Sequence, residues 1–280
     1  MSHFSVLVLT STESLDELEA ALEPYDENRD VEPYRRYVAP DPEDWNRRLA
    51  ARAGVDPLDD AAVLVYLRAN DPDTTFGIDD HGLYEVSDVN PDGHWDYWVI
   101  GGRWSGLLVS RPGRQGLAAP DAHRSIFATE APTPGTWDRI RKADLDIEGM
   151  RERAATAANA KFERIQTAVA AFGPLPASDD PDWREHPTIT ALLLDPEFDD
   201  LEMATRAARG RDYVLNRARL GVLPGFATVV DGEWISPGRV GWWGTTDAQS
   251  DDYDTYYARV NRIIDDADDS VVFTLVDCHS

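Results

Sequence analysis

The amino-acid sequence predicts an α+β fold, with a mixed or antiparallel sheet formed by N-terminal, central and C-terminal strands and a mainly helical insertion. Three observations carry this. Short strands, apolar on both faces, stand near the two ends ("FSVLVLT", 4–10; "VVFTLVDCHS", 271–280), each beside an amphipathic helix. The stretch 74–109 is rich in aromatic, β-branched and glycine residues. Between 147 and 172, apolar residues recur every three or four positions. A single domain over 1–280 is expected, with 120–215 as the helical insertion.

The elements follow in order. After the first strand, Ser14 and Glu17 have the spacing of a capping box, Leu15, Leu18 and Leu22 share a helical face, and Pro24 ends the helix. Residues 25–40 carry no period and form a loop or short extended segment. Helices are expected over 42–53, where Asp41 and Pro42 start one and Gly54 stops it, and over 58–69. The segment 74–109 reads as a hairpin turning at "NPDG" (90–93). A Pro-, Gly- and Arg-rich connection (110–136) leads to the long helix, marked by Ile147, Met150, Ala158, Phe162 and Ile165. A loop (173–187) and weaker helical stretches follow to about 219. Asp231-Gly232 is a two-residue hairpin turn, and Tyr253, Tyr256, Val260 and Ile264 define a helix before the last strand.

Composition narrows the function classes. A formal charge of -25, from 52 acidic and 27 basic residues, opposes direct binding to nucleic-acid backbones or anionic membranes. Lysine is nearly absent (Lys142 and Lys161), a bias that suits a high-GC or salt-adapted host, where a carboxylate-dense surface favours solubility. The lone Cys278 permits no internal disulfide and is expected as a small buried residue. No basic leader or membrane-length apolar run is present, so a cytoplasmic location in a host cell is expected.

Two places are candidates for chemistry. In "WDYWVIGGRWSGLL" (95–108) the aromatics suit a core strand. Gly101 and Gly102 allow close backbone approach, and Arg103 beside them is suited to a phosphate or carboxylate, with Trp104 for stacking. "DGEWISPGRVGWWG" repeats that chemistry in Arg239, Trp242 and Trp243, which either wall the same pocket or pack beneath it. The second place depends on topology. If the first and last strands are antiparallel neighbours, His3 lies beside Asp277 and His279, which share a strand face and are candidates for acid, base or metal-ligand roles. If they are parallel, the group is split. The alternative for all three is a solvated terminal residue. No sequence pattern defines a metal or cofactor.

The strings "MSHFSVLVLT", "EPYDENRDVEPY", "WDYWVIGGRWSGLL", "KADLDIEGMRERA", "DGEWISPGRVGWWG" and "VDCHS" together resemble a family of tailed-phage and prophage proteins, many from actinobacterial hosts, with no established activity. The first strand there more often reads like "FTVLVIG", and an aliphatic residue usually stands where Ser280 does here. The resemblance implies a viral accessory gene without implying a reaction. The leading expectation is an accessory protein that binds or processes a small anionic ligand such as a nucleotide. The alternatives are an acidic, non-catalytic protein that inhibits a host nucleic-acid or defence enzyme, and a virion component.

Overall fold

The computed structural model describes residues 3–119, 133–177, 180–239 and 246–280. The fold is α+β, and the chain divides into two compact units: Met1–Glu23 with His94–Ser280, and Pro24–Gly93.

The first unit is organised by β1 (His3–Thr10) and β11 (Val272–His279), which pair antiparallel along their whole length, from His3 opposite His279 to Thr10 opposite Val272. Both are buried on both faces, which is why neither shows the alternation of a half-exposed strand. On the other side of β1 lies β9 (Ala227–Val230), parallel to it, followed by β10 (Glu233–Ile235). The other edge of β11 takes β5 (Tyr97–Ile100) near its end and β8 (Arg139–Arg141) near its start. The sheet order is therefore β10-β9-β1-β11-β5, with β8 also on β11, and the sheet is mixed. A small pair, β6 (Leu108–Val109) with β7 (Thr136–Trp137), stands apart from it.

Helix α1 (Leu15–Leu22) packs on β1 and β9 with Leu18 and Leu22 buried. Its N-terminus departs from the expected capping box. Ser14 does accept from the Asp16 N–H, but Glu17 bonds the backbone N–H groups and hydroxyls of Ser11 and Thr12 instead. Burial pushes the Glu17 carboxyl pKa up, and these hydrogen bonds outweigh it and hold the value below the usual range. Helices α4 (Ile147–Phe172), α5 (Pro187–Leu193), α6 (Leu201–Ala207) and α7 (Arg211–Leu220) share a core of their own around Phe162, Ile165, Ile189, Leu192 and Val214. The start of α4 joins the sheet core through Ile147 and Met150. Helix α8 (Ser250–Asp266) covers the sheet with Tyr256, Val260 and Ile264 against Leu7, Leu9, Phe273 and Leu275.

The hairpin β9–β10 turns at Asp231 (φ 50°) and Gly232 (φ 74°), the left-handed pair that matches the twist of adjoining strands.

The second unit contains β2 (Tyr34–Tyr37), α2 (Trp45–Arg52), α3 (Asp60–Asn70), β3 (Thr75–Asp79) and β4 (Gly82–Ser87). Its strands form an antiparallel sheet in the order β2-β4-β3, over a core of Val38, Ala50, Val63, Leu67, Phe76 and Leu83. Two turns differ from expectation. The hairpin closes at Asp79 and Gly82, around Asp80-His81, and not at "NPDG". In that motif the Asn90 side-chain amide donates to the carbonyls of Pro24 and Asp26, so the tetrapeptide ties the two ends of the unit together. Helix α2 is capped by Asp44, three residues after the expected Asp41, because Asp44 accepts from the Asn46 N–H while Asp41 is used in a turn with Glu43.

Among the described residues no helix is long and apolar enough to cross a membrane.

The clamp between α8 and β9 gives a first prediction. The buried Tyr256 phenol, its pKa pushed up by that burial, meets the Thr228 hydroxyl at 2.9 Å and donates to the Gly225 carbonyl at 3.1 Å. Tyr256→Phe leaves these partners unsatisfied and is expected to cost about 1–3 kcal/mol, seen as a lower denaturant midpoint with unchanged slope.

Candidate functional site

The face of β1 and β11 that carries Leu7, Leu9, Leu275 and Phe273 in the core changes character at the start of β1 and the end of β11. There the same face bears His3, Ser5, Asp277 and His279. Four polar residues in strands otherwise this apolar are costly unless they are partnered.

His3 Nδ1 lies 2.8 Å from Asp277 Oδ1, and Asp277 is only 3% exposed. The second carboxylate oxygen, Oδ2, accepts from the Arg103 backbone N–H at 2.9 Å. Asp277 is thus a buried charge held by two donors. His279 Nδ1 lies 2.6 Å from Asp96 Oδ1, in a pair that is more open to solvent. An ionised carboxylate only accepts, so against ionised Asp277 and Asp96 each imidazole donates from Nδ1. The two rings stand edge to face with centroids 5.1 Å apart. Both are partly exposed. The site is therefore two oriented imidazoles side by side at one end of a buried sheet, flanked by Tyr97, which pairs with His279 across the strands and is exposed.

The glycine pair builds this site from behind. Gly101 (φ 72°) and Gly102 (φ 54°) both lie in the left-handed region, at the entry to a 3-10 turn over Gly102–Trp104. A Cβ on Gly102 would stand 2.3 Å from Asp277, and one on Gly101 2.4 Å from Asp138. Asp138 in turn accepts from the Ser105 hydroxyl at 2.9 Å and the Gly106 N–H at 2.6 Å. The close approach that the glycines permit is thus to two carboxylates of this chain. Residues 101–106 are wrapped onto Asp138 and Asp277, and this fixes the Arg103 N–H on its acceptor.

The other sequence candidates are placed separately. Arg103 has an exposed side chain rooted beside Asp277. Trp104 is half-buried and packs against the core of Leu7 and Phe273. Arg239 lies beyond β10, its backbone N–H and guanidinium both directed at Asp247, whose carboxyl these hydrogen bonds hold below the usual range. Trp242 and Trp243 lie outside the described residues. Cys278 is fully buried, and opposes Phe4 and Trp98 on the other face from the histidines. Burial, with Asp277 adjacent, pushes its thiol pKa well up.

Asp96 and Asp138 were not singled out in the sequence. Asp96 becomes visible as a partner only once the β5–β11 register places its neighbour Tyr97 against His279.

The structure also contains cavities away from this cluster. One of about 410 Å³ opens at the far ends of β1 and β9, lined by Thr10, Ser11, Asp231, Arg262, Asp266 and Asp268, and its carboxylates disfavour an anion. Another, of about 350 Å³, includes Arg206, Arg217, Tyr253 and Tyr257, but both guanidiniums are engaged by Glu202 and Asp254. Among the described residues no group of three or more His, Cys, Asp or Glu side chains is arranged to hold a metal ion.

No protein-family profile, curated protein sequence or solved structure matches the chain.

Two predictions follow from the geometry. Asp277→Ala strands the His3 and Arg103 donors and is expected to cost about 2–4 kcal/mol, whereas Asp96→Ala, at an exposed pair, costs under about 1 kcal/mol in the same urea titration. The Cys278 thiol should resist a disulfide reagent in the native protein even at mildly alkaline pH, where an exposed thiol reacts rapidly, and become reactive on unfolding in urea.

Proposed function

We propose that the chain is an accessory protein of tailed-phage or prophage type that binds and processes a small anionic ligand, a nucleotide or a molecule derived from one, at the His3–His279 end of the sheet. The observation that carries this reading is the pair of imidazoles, each oriented at Nδ1 by its own carboxylate. That arrangement positions Nε2 to take up or release a proton, the use for which histidine is suited near neutral pH. The partial exposure of both rings gives a ligand access, and the exposed guanidinium of Arg103, the residue whose backbone N–H contacts Asp277, supplies charge for an anion. The phage origin rests on the sequence resemblance, and a host-cell cytoplasmic setting goes with it.

A second reading draws on the charge of -25: an acidic protein that occupies the basic surface of a host nucleic-acid or defence enzyme. It differs from the first in requiring a protein partner whose binding weakens steeply with salt.

The test is thermal unfolding of the purified protein against a panel of nucleotides. A ligand at a hundred times its dissociation constant should stabilise the native state by about 2.7 kcal/mol and raise the midpoint. The shift should disappear in His3→Gln and His279→Gln and weaken about tenfold in ligand concentration in Arg103→Ala, as expected for loss of one charge-assisted contact. A shift of undiminished size in all three variants contradicts the assignment of the site.

A further inference from the structure

We infer that the ligand processed at this site is a singly charged phosphodiester, hydrolysed by water with the two imidazoles as general base and general acid. The inference rests on the preceding reading and adds the substrate class and the reaction.

The chemistry starts from the duplication. One oriented histidine is enough to bind an anion or to move one proton. Two, with ring centres 5.1 Å apart and Nδ1 of each beside a carboxylate, set two proton-transfer groups side by side. A heavy-atom hydrogen bond reaches about 3 Å, so rings at this spacing are close enough for one phosphoryl group to be shared between them. Displacement at phosphorus needs both at once: a base on the entering oxygen and an acid on the departing one.

Protein nucleophiles are poorly placed for the alternative, a covalent intermediate. Cys278 is buried on the opposite face with its thiol pKa raised. The Ser5 hydroxyl shares the face, but its hydrogen bond is an accepted one, from the Phe226 N–H at 3.3 Å, and not a bond to His3. In the proposed step water is the nucleophile. Its proton passes to the neutral imidazole as its oxygen bonds to phosphorus. The phosphorus–oxygen bond to the leaving alcohol breaks with its electron pair, and that oxygen takes the proton of the other, protonated imidazole. The products are a phosphomonoester and an alcohol. The pair is left with its protonation exchanged, and transfer to and from solvent restores it.

Charge selects the diester. In the reactive state the site holds one imidazolium and Arg103 against Asp96 and Asp277, with Asp138 behind the glycine turn, in a chain of net charge -25, so it offers no surplus positive charge. A singly charged diester therefore meets less repulsion than a dianionic monoester or a polyphosphate, and among nucleotide-type ligands it is the form the site favours.

The experiment compares bis(p-nitrophenyl) phosphate with p-nitrophenyl phosphate, which share a leaving group and differ in charge, on the full chain in buffer with a chelator. The expected result is release of one p-nitrophenol per diester, little from the monoester, and a loss of about 100-fold or more in whichever of His3→Gln and His279→Gln removes the general base, with a smaller loss in the other because p-nitrophenolate leaves without a proton. Both variants are checked by circular dichroism for an unchanged fold, and undiminished turnover in both overturns the mechanism. Preference for the monoester overturns the substrate class, and activity that appears only on adding zinc overturns hydrolysis by the two imidazoles. If neither ester turns over while the nucleotide-induced thermal shift still depends on His3, the hydrolysis is wrong and the binding reading survives. If that shift is also absent, both fall.

Discussion

The antiparallel pairing of β1 with β11 is the constraint on which the first unit depends. It joins residues more than 260 positions apart in register from His3–His279 to Thr10–Val272. Every other strand of the main sheet is placed by one of these two: β9 by β1, then β10 by β9, and β5 and β8 by β11. The same register decides the chemistry. Side chains directly opposite one another share a face, so a slip of one residue would turn Asp277 away from His3 and put Cys278 in its place. The apolar length of the strands, locked by α8 on Leu7, Leu275 and Phe273, prevents that slip. Core packing thus sets the alignment of two histidines that lie outside the core.

The site is supported by backbone as much as by side chains. Asp277 is nearly inaccessible, and a carboxylate in that position is tolerated because an imidazole and an amide N–H both donate to it. The amide is held there by a loop that only glycine can form, with Gly101 and Gly102 each pressed against an aspartate. The Arg103 guanidinium is correspondingly free to face solvent. The division of labour is local: the glycines and the Arg103 backbone fix the carboxylate, and the carboxylate fixes the imidazole.

How much of this was legible follows from the kind of signal each part leaves. The two central strands, the long α4, the Asp231-Gly232 turn and α8 announce themselves through local pattern, because burial on one stripe or both faces writes itself into consecutive residues. The grouping of His3 with Asp277 and His279 was visible only as a consequence of one pairing direction, which no local pattern fixes. "GGRW" was legible as a place where a backbone comes close to something, but the sequence does not say that the something is Asp138 and Asp277. Asp96 left no signal, since its role comes from β5 lying beside β11. The compact Pro24–Gly93 unit was hidden for a similar reason: "NPDG" carries the composition of a hairpin turn, while its use, through Asn90, is to close a long loop onto Pro24 and Asp26.

The central claim is that both imidazoles are held by carboxylates at Nδ1 with Nε2 presented outward. Long-range proton–nitrogen correlation spectra of the imidazole rings test it without a ligand. The account predicts that His3 and His279, when neutral, are both the Nδ1–H tautomer, that their ring protons show mutual Overhauser contacts, and that Asp96→Asn alters the His279 pattern but leaves that of His3. The Nε2–H tautomer at both residues, or rings that behave as independent solvated histidines with no mutual contact, would contradict it.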